Sequence, residues 1–187
     1  MNPQLRQAKV RSRDDDRPSR LLRVWLRDVL FSIVLAMFIV TFLYQPVRVE
    51  GTSMSPELQD RDRVFINKLV YRMEDVHRQD VIIFHYPNDP EKTYIKRVIA
   101  GPGDVIRIAQ GTVYLNGDRL DEPYVLPTYR DYRSLPPTRV PDGEYFVMGD
   151  HRNISSDSRD FGPVARSFIY GKALFVYWPT SEAGWVH

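Results

Sequence analysis

The sequence contains no cysteine, so neither a disulfide framework nor thiolate chemistry is open to it. Its formal net charge of +2 over 187 residues is too small to argue for a nucleic-acid partner. The four histidines, His77, His85, His151 and His187, show no metal-ligand spacing, and His-x-x-x-His is absent. No metal and no cofactor are therefore expected. There is no internal repeat, and no convincing amphipathic helix follows Pro46. What remains is a chain with 43% hydrophobic residues, enough for one packed core and some additional segments.

Charge and hydropathy are distributed unevenly. Residues 1–24 form a basic stretch with few apolar side chains before Leu21, which predicts a solvated tail. From Val29 to Tyr44 no residue is charged. That run falls a little short of the ~30 Å hydrocarbon core of a bilayer, and Trp25 and Leu26 extend it. Arg27 can snorkel, and Trp25 and Tyr44 suit the two interfaces. The run is apolar all round rather than on one face, which argues against a buried core helix. A cleaved leader would need a small-x-small site after the run, but Thr41-Phe42-Leu43-Tyr44-Gln45-Pro46 is too bulky. The expectation is a single transmembrane anchor over 25–44, in the cytoplasmic (plasma) membrane. The basic tail would stay inside, with residues 45–187 on the outer side.

Beyond Pro46 the pattern changes to short β-branched and aromatic runs separated by turn signals. Strands are predicted at Val64–Ile66, Val81–Phe84, Tyr94–Ile99, Val105–Ile108, Val113–Leu115, Tyr145–Val147 and Leu174–Tyr177. Asn116-Gly117 is a hairpin signal. The fold class is thus mostly β behind an N-terminal helix, with a smaller β-rich insertion over about 107–140. Within it, Leu120–Arg139 is rich in Pro, Tyr and charge and reads as a long loop.

The segment Val49-Glu50-Gly51-Thr52-Ser53-Met54-Ser55-Pro56 places a serine in a tight turn. A serine nucleophile needs a base and oxyanion donors. Asp150-His151 is suggestive, but Ser53 is not in a G-x-S-x-G elbow and adjacency makes no triad. A lysine can serve if burial lowers its pKa by two or more units from about 10.4. Lys96, in Tyr94-Ile95-Lys96-Arg97-Val98-Ile99, and Lys68, in Phe65-Ile66-Asn67-Lys68-Leu69-Val70, both sit in apolar strand-like runs. Pattern alone does not choose between them. Lys92 and Lys172 lie beside turn signals.

Several ordered blocks resemble those of the type I signal peptidases. Ser53-Met54-Ser55-Pro56 resembles the nucleophile block that follows the anchor, and Asp80 to Phe84 with Tyr86-Pro87 resembles the second strand block. Tyr94 to Ile99 followed by Pro102-Gly103-Asp104 is similar to the block bearing the catalytic lysine. Met148 to Arg152 with Ser155 to Arg159 is similar to the last block. The resemblance implies a signal-peptidase-like β-domain acting as a serine endopeptidase with a Ser/Lys dyad, Ser53 as nucleophile and Lys96 as base. It implies that Ser155 orients the lysine and that Tyr94, Phe84 and Met148 dehydrate it. Asp157 with Arg159, and Asp150 with Arg97, become structural ion pairs. Val47, Val49, Met54, Ile83 and Ile95 match positions lining shallow pockets for small side chains one and three residues before the cut. The implied partners are preprotein signal peptides, the lipid bilayer and the secretion translocon.

There are departures from the family pattern. Gly51 stands where the best-studied members carry a hydroxyl oxyanion donor, as in other branches with glycine there, so the Ser53 backbone N–H becomes the main donor. Glu57 stands in place of a common Thr, Gln79 of a common Gly and His151 of a common Asn. Two other readings compete: a self-cleaving Ser-Lys protease of the repressor type, and an anchored β-domain that binds exported chains without catalysis.

Overall fold

A computed structural model describes residues 17–187, the side chains of 17–20 and 39–44 excepted. The expected tail over 1–24 therefore lies largely outside the described residues. Helix α1 spans Arg17–Leu43 and so begins within that tail. Pro18 suits a first helical turn, because its missing N–H is one that no helix start can satisfy. From Leu21 to Phe38 every side chain of α1 is exposed, including Trp25, Phe31, Ile33 and Met37. Among the described residues no helix is long and apolar enough to cross a membrane. The last part of the apolar run, 39–44, has side chains outside that description. The chain divides into two compact units between Phe42 and Leu43.

The second unit is built from strands. They are β1 (Tyr44–Arg48), β2 (Arg63–Asn67), β3 (Val81–Tyr86), β4 (Asp89–Ala100), β5 (Val105–Ala109), β6 (Thr112–Leu115) and β7 (Asp118–Arg119). β8 (Leu135–Arg139), β9 (Glu144–Met148), β10 (Val164–Ala165), β11 (Ile169–Trp178) and β12 (Gly184–Trp185) follow. Two single-turn helices, α2 (Val70–Met73) and α3 (Ser158–Phe161), are too short to carry an amphipathic pattern. The larger sheet runs β1-β2-β11-β3-β4-β9-β10, with β12 added to β11; the smaller runs β7-β6-β5-β8. Neighbouring strands pair antiparallel throughout.

β4 positions the site, and its two halves differ. From Lys96 to Ala100 every residue is buried. Val98 packs with Ile82, Phe84 and Val147 on one face, and Ile99 with Ile106, Phe146 and Met148 of the cluster shared with the small sheet. A strand covered on both faces loses the alternation of a half-exposed one. The first half is exposed or half-buried, and its ladder to β9 begins only at Arg97. Thr93 to Lys96 thus pair with β3 on one side while the other edge opens onto a groove.

The expected long loop, Leu120–Arg139, carries more structure than its composition suggested. Leu135–Arg139, LPPTR, forms β8 at the border of the small sheet. Proline is tolerated there because an edge strand has one side free of ladder bonds. Asn116 and Gly117 have φ of 54° and 100°, the left-handed pair that a two-residue hairpin turn requires. Lys172, expected beside a turn, sits within β11 and pairs with Asp80 at 2.5 Å.

Candidate active site

Ser53 lies in the turn after β1. Gly51 makes that turn possible with a φ of 90°, and its N–H donates to Asp60 Oδ1 at 2.9 Å. Ser55 N–H donates to the Thr52 carbonyl at 3.1 Å, and Leu58 N–H to the Met54 carbonyl at 3.0 Å. Met54 and Leu58 are buried in the cluster that includes Val64, Ile66 and Ile83. Two apolar pins therefore hold a polar turn at the surface of the core, with Ser53 half-buried immediately before the first of them.

Lys96 comes to this turn from β4. Its Nζ lies 2.7 Å from Ser53 Oγ and donates to the Ile95 carbonyl at 2.9 Å. The residue is 4% exposed. Phe84 and Tyr94 are register partners on β3 and β4, and the Lys96 ammonium position is 5.3 Å from the Tyr94 ring centre. Burial pushes the Lys96 amine down from 10.5 to about 8. The Asp157 and Asp150 charges oppose this shift and Arg159 assists it. Lys68, the other lysine in an apolar run, is exposed just past the end of β2. Geometry thus separates two residues that pattern could not.

The two predicted ion pairs lie close behind the dyad. Arg97 clasps Asp150 with bonds of 2.9 and 2.6 Å, and the pair is 1% and 0% exposed. Arg97 also donates to the carbonyls of Gln79 and His187 and lies 4.2 Å from the Tyr124 ring centre. His187 N–H in turn donates to Glu57 Oε1 at 2.6 Å, so residue 187 ties the nucleophile turn to β4. Asp157 caps α3, accepts from Gly149 N–H at 3.0 Å and meets Arg159 twice at 2.7 Å. Burial works against its charge, yet the Arg159 guanidinium and the Gly149 N–H hold it below the usual carboxylate range.

Ser155 behaves differently from its expected role. Its hydroxyl is buried against Asp157, whose charged form it helps to favour, but among the described residues it makes no well-aligned hydrogen bond, to Lys96 or otherwise. Lys96 instead uses Ser53 and its own strand. Gly149 is wedged between these groups. A Cβ there would fall inside contact distance of Ser155 Oγ and 2.5 Å from the Ser53 carbonyl oxygen.

An open groove of about 750 Å³ runs past the dyad, between Val47–Met54 on one wall and Glu91–Lys96 on the other. Val47, Val49, Met54 and Ile95 line it, as expected of pocket residues. Ile83 does not; it is wholly buried in the cluster beneath. Its register partner Ile95, half-buried, packs over that cluster and faces the groove.

Contacts from these segments to the insertion were not anticipated from sequence. Arg152, 2% exposed, pairs with Glu122 of the insertion at 2.5 Å. Arg159 reaches Asp131 of the same insertion at 2.6 Å. Tyr129 stacks on His151 with ring centres 3.6 Å apart. The only sequence signal for these was the Asp, Glu, Arg and Tyr content of the expected loop. Among the described residues no group of His, Cys, Asp and Glu could hold a metal ion.

A serine hydroxyl against a buried lysine, beside a groove, is an arrangement suited to nucleophilic chemistry. Comparison with known proteins gives the family. The signal peptidase, peptidase S26, family model matches residues 22–178. A signal peptidase I of Bacillus licheniformis is 35% identical over 167 residues, covering 84% of this chain and 89% of that protein. A probable signal peptidase I-2 of Synechocystis sp. is 37% identical over 185 residues, covering 94% and 83%. A crystal structure of a signal peptidase I from Enterococcus faecalis is 31% identical, with a TM-score of 0.47, and covers 53% of this chain and 97% of that one. The chain belongs to the signal peptidase, peptidase S26, family and is a serine peptidase.

Proposed function

We propose that this enzyme removes N-terminal signal peptides from exported preproteins at small-x-small sites, with Ser53 and Lys96 as its dyad. The observation that carries this is the 2.7 Å approach of Lys96 Nζ to Ser53 Oγ in a site that dehydrates the amine. A neutral Lys96 accepts the Ser53 hydroxyl proton as Oγ attacks the scissile carbonyl. The Ser53 N–H faces the resulting oxyanion. Lys96 then returns the proton to the leaving amine, and water releases the acyl-enzyme by the same route.

The substrate lies extended in the groove and adds to the open edge of β4 over Lys92–Lys96. Val47, Val49, Met54 and Ile95 leave shallow apolar space near the dyad, which favours small side chains one and three residues before the cut. Arg97–Asp150 and Asp157–Arg159 keep the two catalytic segments in register, and Ser155 helps to position the lysine when substrate is bound.

The apolar run of α1, continuous in sequence through 39–44, anchors the enzyme in the plasma membrane, N-terminus inside and catalytic domain outside. Its exposed apolar side chains support this, since a solvated helix would not carry them. Exposed Trp178 and Trp185 suit contact with the headgroup region. Signal peptides, the bilayer and the secretion translocon are the partners of this reading.

Purified full-length protein in detergent should cut a peptide with Ala one and three places before the scissile bond. A bulky residue in place of the nearer Ala should abolish cleavage. Binding without any cleavage would favour an anchored domain that only holds exported chains. Equal cleavage of both peptides would overturn the pocket assignment. Protease added to spheroplasts should digest the domain after Tyr44; its protection would overturn the orientation.

A further inference from the structure

His151 touches the nucleophile turn twice. Its backbone N–H donates to the Ser53 carbonyl at 3.1 Å, and its ring Nδ1 lies 3.2 Å from the Thr52 carbonyl oxygen. A carbonyl only accepts, so Nδ1 must carry the hydrogen. The ring cannot swing freely, because Tyr129 stacks on it at 3.6 Å and 26°. Tyr129 is itself fixed from the His151 side of the contact: its carbonyl accepts from Asn153 N–H at 3.1 Å, and Asn153 Nδ2 donates to the Thr128 carbonyl at 3.4 Å.

The consequence comes from the planarity of one peptide bond. In a trans peptide the C=O of Thr52 and the N–H of Ser53 point in opposite directions in one plane. Whatever fixes the Thr52 carbonyl therefore aims the Ser53 N–H. Ser55 N–H holds that carbonyl from within the turn, and His151 Nδ1–H holds it from outside. Gly51, with its φ of 90°, contributes no side-chain donor and leaves the preceding backbone a wide range of conformations. The peptide plane needs an external restraint, and the ring of His151 supplies one.

We propose that His151 is a positioning residue for the oxyanion donor, orienting the Ser53 N–H through the Thr52 carbonyl. Tyr129 of the insertion holds the ring in place. The proposal rests on the reading of Ser53 as nucleophile and its N–H as the oxyanion donor. It assigns a role to a position where the ring is neither nucleophile nor base. Both the Nδ1–H tautomer and the imidazolium donate this bond, so the restraint is independent of the ring's charge.

The test uses the full-length enzyme in detergent and the Ala-x-Ala peptide. Loss of an oxyanion donor costs about 10²–10³ in kcat, and loss of its aim should cost about tenfold to hundredfold. His151→Ala should therefore lower kcat by at least about tenfold. KM, the thermal midpoint and the rise of activity with pH set by Lys96 should hold. His151→Asn, which keeps a side-chain N–H donor, should restore most of the rate, and Tyr129→Ala should give a smaller loss of the same kind. Four results would overturn the proposal: an unchanged kcat in His151→Ala, a loss appearing only in KM, equal losses in His151→Ala and His151→Asn, or a fall in rate that tracks a fall in thermal midpoint. Ser53→Ala serves as the separate control. If it retains activity, the nucleophile reading fails, whatever His151 does.

Discussion

Lys96 and Arg97 are consecutive in β4, and both are buried, yet the protein treats the two cations in opposite ways. Arg97 faces a carboxylate that takes both arms of its guanidinium. Lys96, on the other face of the strand, finds a hydroxyl and a carbonyl but no carboxylate within bonding distance. A buried cation that is paired stays charged and builds structure. One that is unpaired holds its proton less firmly, which is what the proposed base requires. Arginine suits the first task because it stays protonated at any accessible pH. Lysine suits the second because it does not. One dipeptide thus holds a brace and, in the proposed mechanism, the base, and the strand's alternation keeps them apart.

The sharpest way to break the comparison is to make the two positions alike. Lys96→Arg should be inactive, with cleavage down by more than about 10³-fold, because a guanidinium cannot accept the Ser53 proton. A peptide assay with circular dichroism to verify folding measures this; a folded, active variant would end the assignment of the base. Removing the brace comes next. Arg97→Ala leaves Asp150 buried and alone and should lower stability by about 3–5 kcal/mol, read from denaturant unfolding. Arg97→Lys should recover only part of this, since an ammonium does not reproduce the two-armed contact.

A third effect follows from the lowered basicity of Lys96. Cleavage should rise with pH through about 8, where the amine becomes neutral. Stability should also rise with pH. Between the folded value of about 8 and the ordinary 10.5, the unfolded chain binds a proton that the folded chain does not. Relative to Lys96→Met, the wild type should therefore gain stability across that window, on the order of 3 kcal/mol in total. Unfolding curves for both proteins at several pH values will show the difference narrowing, or refute it by staying parallel. The smallest effect belongs to Ser155, whose hydroxyl is buried without a hydrogen bond. Ser155→Ala should change stability by less than about 1 kcal/mol, because no bond is lost. A larger loss would mean that the hydroxyl is partnered in solution.

The strands were legible in the sequence because β-branched and aromatic runs stand between turn signals, and Ser53 stood out because its block follows the apolar run. Lys96 could not be separated from Lys68 by pattern, since both sit among apolar residues; only the folded chain shows one beneath a turn and the other in solvent. β8 was misread as loop because its prolines carry a strong turn signal, which an edge position neutralises. Ile83 was assigned to the groove, whereas it lies wholly buried in the cluster against which Ile95, its register partner on the same face, packs half-buried at the groove. Contacts such as Arg152–Glu122 and His151–Tyr129 join residues far apart in the chain, and no local pattern encodes them.

Gly149 has a practical consequence. A single methyl group at this position would collide with the Ser53 carbonyl and the Ser155 hydroxyl without touching Ser53 Oγ or Lys96 Nζ by name or charge. Gly149→Ala would act as a spacer inserted behind a complete set of reagents, prying the nucleophile turn away from the segment that backs it. Such a variant keeps its groove and both catalytic side chains but loses their alignment. It would be a tool for holding an uncut substrate in place long enough to be seen.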